Sequence, residues 1–170
     1  MNIILTGYMA SGKSTVGRCL AKKLGMSFLD TDKYIEKKQN KKISDIFSEN
    51  GENFFRKLEH ECAKALYTKD NTVIATGGGF VLNPENIELM RKNGIIVYLE
   101  TNADVICDRL ETSRGTRPLM NGSSTEQIIE RFEKRKSFYD NCDIKIKLTV
   151  TGNTEDYVAE IEKKINKLKG

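Results

Sequence analysis

No stretch of this 170-residue chain is apolar enough to cross a membrane. A spanning helix needs ~20 consecutive apolar residues, and the first apolar stretch, Ile3-Ile4-Leu5, is also too short for a secretory leader. A cytoplasmic protein is the expectation. Cysteine pairing is absent too: Cys19, Cys62, Cys107 and Cys142 lie far apart and form no C-x-x-C pair. That spacing excludes zinc-ligand and redox motifs and leaves reduced, mostly buried thiols as the expectation. The one histidine, His60, cannot complete a metal site with them; beside Glu59 it reads as a helix-surface residue. Surplus charge is small, with 28 basic against 24 acidic residues and a net charge of +4. Lysine-rich helix faces with interspersed glutamates account for it, so nucleic-acid binding is not implied. Repeats, low-complexity tracts and linkers are lacking as well. A single domain over 1–170 is expected, of soluble globular composition at 38% hydrophobic and 31% charged residues.

Arginine is scarce, and its placement is informative. Eight of the 28 basic residues are arginine, and five of those eight fall between Arg109 and Arg135. A chain that otherwise uses lysine has gathered its planar, bidentate donors in one region, which suits phosphate or carboxylate recognition.

What the chain does have is alternation. Strand-like runs at 2–6, 26–29, 72–75, 95–99 and 144–148 are separated by helix-like segments. The helical segments run over 13–24, over a long stretch after Asp32 that breaks near Asn50-Gly51, from Asn83-Pro84, and over 104–110, 125–139 and 154–168. Val158, Ile161, Ile165 and Leu168 give the last helix an apolar seam. The polar stretch 111–124, holding Gly115 and Gly122, interrupts the pattern and reads as a mobile loop. Strands separated by helices imply right-handed crossovers and a three-layer α/β/α fold around a central five-stranded parallel sheet. Ligands bind such sheets at the carboxyl ends of the strands.

Three motifs sit at those ends. Gly7-Tyr8-Met9-Ala10-Ser11-Gly12-Lys13-Ser14 matches G-x-x-x-x-G-K-[ST], with a strand before it and a helix after. Its glycines let successive N–H groups of Met9, Ala10, Ser11 and Gly12 turn toward phosphates. Lys13 reaches the β- and γ-phosphates, Ser14 can hold Mg²⁺, and Thr15 lies in the positive first turn of the following helix. Asp30-Thr31-Asp32 follows the second strand; in an extended segment its carboxylates would point to opposite sides, one to a metal and one to an acceptor. A helix cap is the plainer reading of one of them. Gly77-Gly78-Gly79 follows the third strand and makes sense where backbone must approach a ligand closely.

Together with Gly51-Glu52-x-x-Phe55-Arg56-x-x-Glu59, Arg117-Pro118-Leu119 and Arg135-x-x-x-Tyr139, these motifs resemble shikimate kinase in order and spacing from residue 3 to about 142. The resemblance implies a nucleoside-monophosphate-kinase-like fold with a mobile lid at about 111–124 and an acceptor-binding segment at about 31–61. It implies transfer of the γ-phosphoryl group of ATP to the 3-hydroxyl of shikimate, with Mg²⁺, by a monomer. Asp32 resembles the carboxylate that holds the acceptor hydroxyl and serves as base, and Asp30 the one near magnesium. Arg56 and Arg135 resemble the pair that clamps shikimate's carboxylate. Gly78 and Gly79 resemble the backbone that meets its ring hydroxyls, and Phe47 and Phe55 the apolar lining. Arg117 resembles the lid arginine that closes over the phosphates. Arg109 resembles the residue that stacks on adenine, with Leu110 the neighbouring candidate. The loop Thr151-Gly152-Asn153-Thr154 departs from the pattern, lacking the arginine that some members place near adenine. A gluconate-type or nucleoside-monophosphate kinase shares the glycine loop and lid but has no need of Arg56, the triple glycine and Arg135-x-x-x-Tyr139 together. A non-catalytic nucleotide-binding module predicts the loss of Lys13, Asp32 or Arg117, and all three are present.

Overall fold

The computed structural model describes residues 1–112 and 123–170. Five strands form one parallel sheet in the order β2-β3-β1-β4-β5. They are β1 (Asn2–Thr6), β2 (Ser27–Asp30), β3 (Thr72–Ala75), β4 (Gly94–Glu100) and β5 (Ile144–Lys147). The central strands β1 and β3 are buried along their whole length, as continuous apolar runs covered on both faces should be. The fold expected from the sequence is the one observed.

The two faces carry separate cores. On one, α1 (Lys13–Leu24) and α7 (Thr154–Lys169) pack Val16, Leu20, Val158, Ile161 and Ile165 against Ile3, Leu5 and Val97. On the other lie α2 (Thr31–Gln39), α3 (Ile43–Leu66), α4 (Pro84–Arg91) and α6 (Thr125–Tyr139). They bring Ile35, Phe55, Leu66, Ile87 and Phe132 against Ile4, Ile74 and Tyr98. The remaining helix, α5 (Ala103–Thr112), gives Val105 to the first core and Ile106 to the second. Among the described residues no helix is long and apolar enough to cross a membrane.

Four local expectations need correction. The stretch after Asp32 breaks twice, not once: α2 stops at Asn40, whose left-handed φ of 50° ends the helix, and α3 then kinks at Gly51, where φ is 79°. Nothing crowds Gly51, so its backbone angle alone calls for glycine. Leu168 leaves the apolar seam of α7 and is exposed. Only Cys62 of the four cysteines is buried, and Cys19 is exposed. His60 is not a surface residue: half-buried, its Nδ1 lies 2.8 Å from Asn86 Oδ1, away from the glycine loop. Of the expected lid, 111–112 end α5 and 124 caps α6, while Arg117 and the rest of 113–122 lie outside the described residues.

Candidate active site

The glycine loop joins β1 to α1. Gly12 takes φ 81° as the N-cap of α1, and Ala10 adopts φ 60°, a left-handed conformation that costs an alanine about 1–2 kcal/mol. A side chain on Gly7 would press on the Leu99 carbonyl and on Ser11. Inside this curl the Lys13 ammonium donates to the carbonyls of Gly7 at 2.7 Å and Tyr8 at 2.8 Å and to Ser11 Oγ at 3.2 Å. Its three donors are all used within the loop. Burial pulls the Lys13 ammonium down to about 8, with Asp32 and Asp30 opposing the shift. Arg109 of α5 lies over the same loop, its Nη1 donating to the Ala10 carbonyl at 2.7 Å beside Gly12. Leu110 turns instead to the core, so of the two neighbours it is Arg109 that meets the glycine loop. Thr15 is exposed on the first turn of α1.

Asp30 and Asp32 are not alternate residues of a strand. The extended segment ends at Asp30, which caps α2 by accepting from the N–H groups of Asp32 and Lys33, and Asp32 already lies in the first helical turn. Both readings of this pair meet in one residue. Asp30 Oδ1 caps the helix, and its Oδ2 accepts from Ser14 Oγ at 2.6 Å. Asp32 faces the other way, and its buried Oδ1 has no partner among the described residues. Burial raises the Asp32 carboxyl to about 6, reinforced by Asp30 and opposed by Lys13.

The three consecutive glycines have three different reasons, and none is a positive φ. A Cβ on Gly77 would sit 2.5 Å from Asp32 Oδ1 and 3.1 Å from Glu59 Oε1. One on Gly78 would come within 3.4 Å of the Met9 nitrogen in the glycine loop. One on Gly79 would collide with the Arg56 guanidinium. Each glycine therefore lets a different group approach: two carboxylates, the glycine loop and an arginine. Thr31 anchors the turn, its Oγ1 accepting from Gly77 N–H at 2.9 Å.

Arg56 projects from α3 just past the Gly51 kink. Its Nη1 donates to Glu59 at 2.6 Å and its Nη2 to Glu52 at 2.9 Å, and the guanidinium lies 5.7 Å from the Phe55 ring centre. Phe55 packs on Phe47 with ring centres 4.8 Å apart. Glu59 is 1% exposed, and its Oε1 has no partner among the described residues. Burial pushes Glu59 up to about 7 against the pull of Arg56. Arg135, half-buried on α6, makes no hydrogen bond or ion pair among the described residues, although its charge is felt at Glu59 and Tyr139.

A shikimate kinase family model matches residues 9–166. A shikimate kinase from Sulfurihydrogenibium sp. (strain YO3AOP1) is 42% identical over 166 residues, covering 96% of this chain and 99% of that relative. The chain belongs to the shikimate kinase family. Solved shikimate kinases agree with it in fold. The one from Acinetobacter baumannii, in complex with shikimate, aligns at TM-score 0.89 and 34% identity over 99% of this chain and 94% of that one. The one from Aquifex aeolicus vf5 aligns at TM-score 0.83 and 38% identity over 98% and 96%. The chain's activity is thus that of a shikimate kinase, an ATP-using enzyme of the shikimate pathway to aromatic amino acids.

The fold of this shikimate kinase brings Lys13, Ser14, Asp30, Asp32, Arg56, Gly78 and Gly79 to one end of the sheet. Three neighbours carried no role in the sequence reading: Glu59, Thr31 and Tyr139. Glu59 left a legible sign, a carboxylate one helical turn after Arg56 at a spacing otherwise filled by Phe55, Cys62 and Leu66. Thr31 and Tyr139 act on loop backbone, which sequence pattern does not display.

Proposed function

We propose that the chain transfers the γ-phosphoryl group of ATP to the 3-hydroxyl of shikimate, giving 3-phosphoshikimate and ADP, and does so as a monomer. The observation that carries this reading is the buried Asp32 Oδ1 at Gly77, without a partner among the described residues and set between the glycine loop and the Arg56 guanidinium. Phosphoryl transfer depends on alignment and charge stabilisation more than on covalent chemistry by the protein. In this reading the N–H groups from Met9 to Thr15 surround the phosphates and Lys13 exchanges its loop carbonyls for β- and γ-oxygens. Arg109 stacks on the adenine, and Arg117 meets the phosphates. The acceptor hydroxyl donates to Asp32. As its oxygen bonds to the γ-phosphorus, the bond from that phosphorus to the β,γ-bridging oxygen breaks and the proton passes to Asp32. Arg56 and Arg135 hold the acid's carboxylate, Gly78 and Gly79 offer backbone to its ring hydroxyls, and Phe47 and Phe55 wall the acceptor segment, about 31–61.

The residues present suit Mg²⁺. A hard cation of this kind takes few protein oxygens and completes its shell with nucleotide phosphates and water, and Ser14 Oγ stands 2.6 Å from Asp30 Oδ2 beside the loop. Ser14 would ligate it with Asp30 beside it, and when bound it would supply positive charge against the phosphates. Asp30→Asn keeps the helix cap and removes the negative charge. The expected result is a several-fold higher Mg²⁺ concentration for half-maximal activity, read by magnesium titration at saturating ATP and shikimate. An unchanged requirement would detach Asp30 from the ion.

Arg56→Ala and Arg135→Ala test the acceptor side. Truncating one partner of a desolvated charge pair costs ~2–5 kcal/mol, which raises the acceptor's KM about 30-fold or more. ATP binding should stay nearly intact. The assay follows ADP release with shikimate and a panel of other small acids, beside ATP calorimetry. A parallel loss of ATP affinity would assign these arginines to the nucleotide instead.

A further inference from the structure

Tyr139, the last residue of α6 and part of its core, also bonds the backbone of the glycine turn. Its hydroxyl donates to the Gly78 carbonyl at 2.5 Å, and its ring is stacked on Tyr98, with centres 5.2 Å apart and planes 12° from parallel. Tyr98 cannot yield, since it is fully buried in β4 and paired with Thr6 of β1 and Lys145 of β5. The phenol is therefore held between the sheet and the glycine turn. Burial keeps its proton on well above the usual phenol range, so it remains a donor at working pH.

The Gly78 carbonyl and the Gly79 N–H belong to one peptide unit. No peptide bond in the described chain is cis, and in a planar trans unit C=O and N–H point in opposite directions. Fixing the carbonyl toward α6 therefore fixes the N–H away from it. That N–H has no hydrogen-bond partner among the described residues, and the Arg56 guanidinium lies against Gly79, where a Cβ would collide with it. Arg135 stands one turn before Tyr139 on α6, on the same helix face.

We infer that Tyr139 is a positioning residue for the acceptor: by holding the Gly78 carbonyl it aims the Gly79 N–H at the bound acid. The inference rests on the reading above that the Gly79 backbone meets shikimate. Losing one backbone-directed bond of this kind corresponds to about a 5- to 10-fold effect in affinity. Tyr139→Phe keeps the ring stacked and removes only the hydroxyl. The expected result is a shikimate KM raised about 5- to 10-fold with the ATP KM within about twofold of the parent. A purely structural role would move both constants together.

Amide NMR separates the two layers of the argument. In the parent enzyme, adding shikimate should shift the Gly79 N–H resonance, and in Tyr139→Phe that shift should shrink. If the resonance ignores shikimate in the parent, the reading of Gly79 fails and the inference falls with it. If it shifts equally in both proteins and the shikimate KM is unchanged, the acceptor reading stands and the role of Tyr139 is refuted. A joint rise in both KM values, or loss of the folded circular dichroism signal, also refutes it.

Discussion

Lys13→Ala is expected to lower turnover by at least about 10³-fold, since a single uncharged donor to a developing oxyanion is already worth 10²–10³-fold and here the donor carries a full charge. In the present structure the ammonium serves its own loop, donating to the Gly7 and Tyr8 carbonyls and to Ser11. The variant therefore loses a loop brace as well as a phosphate ligand. Thermal melting beside kinetics separates the two: a fold that melts near the parent temperature but does not turn over assigns the loss to chemistry. The lowered proton affinity of Lys13 adds an independent readout. Burial brings it down to about 8, and phosphate anions placed beside it must raise it again. Nucleotide binding near pH 8.5 should then take up a proton, seen as buffer-dependent binding enthalpy in calorimetry. Lys13→Ala should abolish that uptake. Near-normal turnover in the variant would remove Lys13 from the mechanism.

The sheet was legible because its inner strands are short apolar runs that enter a punctuating residue, because β5 alternates isoleucine with lysine, and because the helices between strands fix the crossovers. The glycine loop was legible because its backbone chemistry demands particular residues at particular spacing. The failures share a cause: they turn on which way a group faces at an element boundary. Asp30 and Asp32 read as alternate residues of a strand because nothing in the sequence marks where extension stops. The stop is set by Asp30 itself, which accepts two N–H groups of the next helix. The break at Asn40 was missed because asparagine is a weaker left-handed signal than glycine. The triple glycine was read as close approach to a ligand, yet its first-order reason lies within the protein, in the space taken by Asp32, Glu59, Met9 and Arg56. A sequence shows that room is needed; only the fold shows for whom.

The Glu59–Arg56 contact illustrates the electrostatics that follow. Asp32 and Glu59 each bury an oxygen that has no partner among the described residues, and both flank Gly77. Their carboxyls are raised mainly by burial and secondarily by like charges nearby, among them Asp32 acting on Glu59. Such an arrangement does not serve the stability of the free enzyme. A carboxyl raised in the folded state favours folding when protonated, and that contribution is lost as pH rises through its folded value. For Asp32 the window runs from the ordinary carboxylate range up to about 6. Buried groups held at such a disadvantage are candidates for function with a stated physical reason.

Asp32→Asn brings these strands together. Asparagine preserves the shape and one acceptor oxygen but removes the charge and most of the basicity. A general base usually contributes ~10²–10⁴-fold, and turnover is expected to fall by about that factor. Shikimate affinity should fall less, and ATP affinity hardly at all, because the Lys13 loop and the Ser14–Asp30 pair are left in place. The pH dependence gives the sign. The base must be ionised, so kcat/KM in the parent should rise with pH through an apparent value near 6, and the variant's residual activity should lose that limb. Stability should move the other way. Above pH 6 the parent carries a buried carboxylate that the variant does not, so Asp32→Asn should melt at a higher temperature than the parent at pH 8, with the difference vanishing near pH 4. Calorimetric affinities, steady-state turnover and melting at both pH values form one decisive set. Full turnover in the variant, or a loss explained by failed ATP binding alone, would show that Asp32 is not the base.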